Sequence, residues 1–150
     1  MNTTIEQLRE IITKYTPLLK DVNQNAWQAK PLPHKWSKVE ELGHLVDSAQ
    51  NNIRRFIVGQ YEEQPHIVYK QNEWVKISNY QQYVIDDLIN FWALINKHIC
   101  IVLGNTSAEK AARPVLSQDV HTIEWLASDY NKHLLHHLHH LLELEPVAYP

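Results

Sequence analysis

Ser37-Lys-Val-Glu40-Glu-Leu-Gly43-His44-Leu-Val-Asp47-Ser-Ala-Gln-Asn51-Asn-Ile-Arg-Arg55-Phe56 is the stretch on which the fold turns. Within it Val39, Leu42, Val46, Ala49, Ile53 and Phe56 recur at alternating spacings of three and four, a single apolar seam of the kind that packs in helical bundles. Ser37 and Glu40 stand three apart just before the seam. That spacing predicts a capping box, in which each side chain satisfies the other's free backbone N–H. The helix so opened should run to about Gly59.

Three glycines (Gly43, Gly59, Gly104) and clustered prolines leave long segments without breakers on either side of this helix. Upstream, Ile5, Leu8, Ile12, Tyr15 and Leu19 predict a first helix from Thr4 to about Leu19, capped by Thr3 and Glu6, with 21–33 as the connection. Downstream, Tyr61 to Ile77 holds Pro65 and no sustained period, which predicts a long crossover. Ser78 and Gln81 are placed to cap a third helix that carries Val84, Leu88, Phe91, Ile95 and Val102 inward and stops near Gly104. Residues 105–118 read as a second loop, and a fourth helix should run from about Val120 to Glu143, before Pro146. The expectation is an all-α four-helix bundle, with the long crossover between helices 2 and 3, as one domain over 1–150 with little or no sheet.

Composition narrows the function classes. A chain of 150 residues that is 44% hydrophobic and 21% charged is an ordinary globular domain rather than a disordered or disulfide-built one. Its net charge of −3 gives no basis for a nucleic-acid groove or an anionic membrane partner. The single Cys100 cannot form an internal disulfide, the first ten residues are polar rather than signal-like, and apolar runs such as Ile99–Leu103 fall well short of the roughly 18 residues of a membrane span. A cytoplasmic protein is expected. The unusual feature is histidine, ten in all.

On a wheel of about 100° per residue, the fourth helix has an apolar stripe of Ile123, Leu126, Tyr130, Leu134 and Leu141. His137 falls inside that stripe and His133 about 40° from it, whereas His136 and His139 point away. Two imidazoles at i and i+4 stand on one face, where a helix can offer two nitrogens to one metal ion. Leu134 occupies the place of a metalloprotease's catalytic Glu, so that motif's general base is absent. Such a pair also arises by composition alone, as hydrogen-bonded or solvated histidines. His98 reads as a core histidine, and His34, His66 and His121 as solvated ones near loops.

The run Lys30-Pro-Leu-Pro-His-Lys-Trp36-Ser37 continuing through Glu40, Gly43-His44, Asp47, Asn51-Asn52 and Arg55-Phe56 resembles the signature of the DinB/YfiT-like superfamily. Tyr130-Asn-Lys-His133-Leu-Leu-His136-His137-Leu is similar to that family's second signature, an HxxxH near the end of the chain, and Tyr69-Lys-Gln-Asn-Glu-Trp74-Val to a weaker third motif. The resemblance implies a four-helix bundle, often a homodimer, in which His44, His133 and His137 hold a divalent ion, commonly zinc or nickel. Characterised relatives include transferases and isomerases that use low-molecular-weight thiols, but the fold does not fix the reaction.

His44 lies almost opposite the seam of its helix, on a stripe with Asp47 or Ser48, Asn51 and Arg55. That stripe is either a solvated polar face or the border of a water-filled cleft beside the fourth helix, and the second reading excludes a site deep in the core. Three imidazoles would leave a zinc ion an open position for water or substrate. Asp47 is then a candidate for orienting a ligand imidazole, Asn51 and Arg55 for holding an anionic part of a substrate, and Tyr130 for a pocket hydrogen bond or core packing. Trp74 is a lid or an anchor for the crossover, and Cys100 reads as a small buried hydrophobe, so any thiol would come from a cosubstrate. The function expected is a metal-dependent transferase, thiol S-transfer in its specific form, or a hydrolase of small molecules. The alternative is a non-catalytic metal-binding or dimerisation module. Besides its seam the third helix carries Ile85, Ile89 and Trp92, a second apolar row that would either meet its copy across a two-fold axis or lie under the crossover.

Overall fold

The computed structural model describes residues 1–149. Four long helices form the bundle: α1 (Asn2–Lys20), α2 (Lys38–Val58), α4 (Ile85–Gly104) and α6 (Ile123–Leu141). Between them lie the short helices α3 (Gln71–Ser78) and α5 (Ala108–Ala111) and a two-stranded antiparallel hairpin of β1 (Pro114–Leu116) and β2 (Val120–Thr122), with Val115 opposite His121. The helical fold expected from the three-four spacing is the one observed. The capping box at Ser37 and Glu40 forms in full, whereas α1 already begins at Asn2, so Thr3 and Glu6 make no box.

α4 and α6 each pack against both α1 and α2. The consecutive helices α1 and α2 therefore face each other across the bundle diagonal. α2 is flanked by α4 and α6, and α3 and the turn Tyr80–Gln82 cover a further side. That arrangement buries α2 nearly all round: Glu41, His44, Asp47, Ser48, Asn51 and Asn52 are inside together with the seam of Val39, Leu42, Val46, Ala49 and Phe56.

The crossover is structured where no period was visible. Ser78 ends α3 and caps nothing; α4 starts at Ile85 with Val84 before it, and Gln81 instead donates to Ser37 Oγ (2.9 Å). Ile67 N–H donates to Leu116 O (2.9 Å) and Leu116 N–H to Pro65 O (3.0 Å), which ties the crossover to the hairpin. The inward face of α4 also differs from the expected one. Ile85, Ile89 and Trp92 are core residues beside Leu88 and Ile95, while Val84 and Phe91 are exposed (64% and 43%) and Val102 is only partly buried. α4 is apolar on most of its circumference, and contact with both α1 and α2 sets its buried arc. By length and hydropathy alone it could cross a membrane, but half of that window is buried in the bundle, as in a core helix.

Candidate metal centre and cleft

His44 on α2 and the pair His133 and His137 on α6 meet where those two helices pack. His44 Nε2 and His133 Nε2 are 3.1 Å apart, and one ligand nitrogen from each of the three rings lies within 4.8 Å of the others. Trp36 covers His44 with its ring centroid 4.8 Å away. Two nitrogens bound to one zinc ion at about 2.1 Å stand about 3.4 Å apart in tetrahedral geometry, close to the His44–His133 separation. Burial pushes the pKa of His44 down to about 3, helped by the neighbouring His137. The same cause, with His137, His44 and His136 adding to it, brings His133 to about 2. Both are thus neutral at physiological pH, the form that binds metal. The residues present fit a divalent ion with three imidazole ligands.

The carboxylate that orients this cluster is Glu41, which sequence reasoning passed over. Its Oε1 accepts from His137 Nδ1 (2.8 Å), and both of its oxygens accept from His140 Nδ1 (2.9 and 2.8 Å). A carboxylate only accepts, so His137 carries its proton on Nδ1 and presents a free Nε2 lone pair. The available signal was Glu41-x-x-His44, two side chains on one face of α2.

Asp47 and Asn51 stand away from the ligand rings. Asp47 Oδ1 accepts from Tyr80 Oη (2.5 Å), and its Oδ2 and His44 Nδ1 both lack a protein partner, so Asp47 does not hold the His44 imidazole. Burial raises the Asp47 pKa to about 6, against the Tyr80 hydrogen bond. Asn51 is buried and donates to Asp47 O (2.9 Å). Asp47 faces the side of α2 that the Tyr80 turn covers, which a wheel cannot see, and Asn51 bonds back to its own helix. Tyr130 is buried and donates to Asn96 Oδ1 (2.7 Å), a core bond between α6 and α4.

A cleft of about 850 Å³ opens beside the cluster, lined by Ser48, Asn52 and Arg55 of α2, Tyr69 of the crossover, Tyr130 and His133 of α6, and Tyr149 among others. The polar stripe bordering it is therefore Ser48, Asn52 and Arg55. His44, 1% exposed, lies behind that stripe in the interior, contrary to the expectation that it would border the cleft. Of the three imidazoles, His133 alone reaches the cleft. Arg55 donates through Nε and Nη2 to Ile67 O (3.1 and 3.0 Å) and through Nη1 to Asn52 Oδ1 (3.3 Å). Burial lowers its pKa, and Tyr69, Tyr149 and Asp129 oppose that shift.

The remaining candidates settle outside the cluster. Trp74 is half-buried against Tyr69, ring centroids 5.6 Å apart, as an anchor of the crossover. Cys100 is buried in α4 with its pKa raised by burial. His98 is exposed rather than core, and His121, half-buried on β2, stacks on Trp125 with centroids 3.5 Å apart.

Solved structures share this fold, among them two described proteins. YfiT from Bacillus subtilis, described as a probable metal-dependent hydrolase with an unusual four-helix bundle topology, superposes with a TM-score of 0.85 at 19% identity, over 95% of this chain and 83% of its own. A mycothiol-dependent maleylpyruvate isomerase superposes at 0.73 and 16% identity over 98% of this chain, which spans 61% of the isomerase's length. No curated protein matches the sequence. Residues 7–141, from α1 through the three histidines to the last turn of α6, match the DinB superfamily, and the chain belongs to that family.

Proposed function

We propose that the protein is a metal-dependent enzyme of small-molecule substrates, with His44, His133 and His137 holding a zinc or nickel ion and the adjoining cleft taking the substrate. The observation that carries this reading is the meeting of three imidazoles at a helix interface with one of them, His133, shared with the cleft. Such an ion supplies Lewis acidity, which makes a water or a thiol acidic near neutrality. Hydrolysis and reactions of a low-molecular-weight thiol can both use that chemistry, and the neighbouring folds are described as a probable metal-dependent hydrolase and a mycothiol-dependent isomerase.

The chain's own residues supply the rest. Glu41 fixes the tautomer and plane of His137. Arg55, held in place by Ile67 O and Asn52, keeps a positive charge on the cleft wall beyond Ser48, where the carboxylate or phosphate of a substrate could pair with it. Buried walls keep bulk water from the His44 side. Asp47, Asn51 and Tyr130 serve structure in this reading, and a cytoplasmic homodimer is the setting we propose for it.

The test is metal analysis of protein purified without a histidine tag, with wild type compared to His44→Ala, His133→Ala and His137→Ala. About one ion per chain in the wild type and loss of it in each variant is expected. Screens of ester and amide hydrolysis and of thiol transfer on the loaded protein then separate the two chemistries. Full occupancy with no turnover in either screen would favour the non-catalytic metal module.

A further inference from the structure

Five histidines crowd the last turns of α6, and the metal reading uses only two of them. His140 joins Glu41, and the other two hold a piece of chain. α6 ends at Leu141, and Glu143, with φ of 56°, turns the backbone so that Glu143 and Leu144 N–H bond back to His140 and His139 carbonyls. The following segment then doubles back along α6. His139 Nδ1 donates to Glu145 O (2.6 Å), with its Nε2 2.6 Å from Tyr15 Oη, and His136 Nδ1 donates to Val147 O (2.7 Å). The segment delivers Tyr149 to the mouth of the histidine cluster. The Tyr149 ring lies edge-on to His133, centroids 5.4 Å apart, and against His136 at 5.9 Å, while its hydroxyl donates to Asp129 Oδ2 (2.8 Å).

We propose that Glu145–Tyr149 is a strap that gates passage from the cleft to the histidine cluster, with Tyr149 as the gate and Asp129 as its latch. His44 and His137 lie outside the cleft lining, so whatever sits in the cleft reaches the cluster past His133, and the Tyr149 ring occupies that approach. The holding groups divide by number. Two imidazole-to-carbonyl bonds and a reversed helix end fix the strap's root, whereas one hydroxyl-to-carboxylate bond and ring packing hold its tip. The tip can therefore swing while the root stays bound. Opening widens the access to His133 from the cleft, and closing sets an aromatic ring against its edge. This deepens the metal reading by giving the site a door, but the door can be tested without an ion.

Histidine carbethoxylation by diethyl pyrocarbonate, followed by peptide mass spectrometry on metal-free protein, reads the exposure of each imidazole. The expected result for Tyr149→Ala is an increase of about tenfold in the His133 rate, the factor that loss of one hydrogen bond to a carboxylate produces, with the exposed His34 and His98 unchanged. Asp129→Asn, which leaves the strap itself intact, should give a smaller increase in the same residue. Wild-type rates at His133 in both variants would overturn the gate. On nickel-loaded protein, removal of the ion by a chelator should also be faster in Tyr149→Ala, and unchanged removal would count against the gate. If no ion binds to begin with, the metal reading fails while the carbethoxylation result still decides on the strap.

Discussion

Glu41 serves two imidazoles with one carboxylate, and its burial keeps the bond to His137 away from competing water, while His140 is exposed. Glu41→Gln puts a donor where an acceptor is needed, so His137 loses its fixed orientation. Metal affinity should fall roughly 10- to 100-fold, read by competition with a chromogenic chelator, and an unchanged affinity would remove Glu41 from the site. Asp47 makes a separate prediction. Its folded pKa of about 6 lies above the ordinary 3.8, so between those values the folded chain holds a proton that the unfolded chain releases. Stability therefore falls as pH rises through that window and stays lower above it. Asp47→Asn should match wild type near pH 4 and be more stable on the order of 1–2 kcal/mol near pH 7.5, by urea unfolding of metal-free protein. Equal stability at both pH values would show that Asp47 bears no burial cost. At this scale His133 and His137 were legible from helix geometry, whereas His44 needed the family motif. Glu41 was hidden because its neighbour Glu40 had a visible task at the cap.

The fit between α2 and the Tyr80 turn sets the register of the crossover on the bundle. A Cβ built at Gly43 would meet the Tyr80 ring at 2.1 to 2.5 Å, and Tyr80 is tethered at its far end to Asp47, so the ring cannot step aside without breaking that bond. Gly43→Ala should cost about 2 kcal/mol by urea denaturation, in the range of overpacked cores, and a second change of Tyr80→Leu should recover part of it. A neutral Gly43→Ala would mean that the turn is free to shift. The same contact shows why elements differ in legibility. α2 and α6 carry clear seams between polar neighbours. α3 buries only Val75 and so has no seam to read, and β1 and β2 are three residues each, too short for alternation to show. α4 failed differently: it is apolar on most faces, and periodicity cannot choose among several apolar rows.

Periodicity gives each helix a face but not its neighbours, and the diagonal placement of α1 and α2 follows from packing across the whole molecule. One consequence concerns pairing of two chains. Ile85, Ile89 and Trp92 fill the core and leave no second row to share, so the expected dimer would use what α4 does expose, Phe91, Leu94 and Ile101. A doubled mass in light scattering that Leu94→Glu reduces to one chain is the expected outcome, and a single mass in the wild type would end the dimer. The other consequence concerns the ion. His44 and His133 are 89 residues apart in sequence and come from helices that touch along one face, so an ion bound to both staples α2 to α6. A ligand that binds only the folded state stabilises it by about 2.7 kcal/mol at a hundred times its dissociation constant, which for a chain of this size raises Tm by roughly 5–10 °C. That rise should appear with zinc or nickel in the wild type and in Asp47→Asn, whose substituted side chain bonds Tyr80 and none of the three histidines. It should vanish in His44→Ala as completely as in His133→Ala, although one variant alters α2 and the other α6. An equal rise in all four proteins would mean that the ion sits on the exposed histidines, and that the two helices are held together by packing alone.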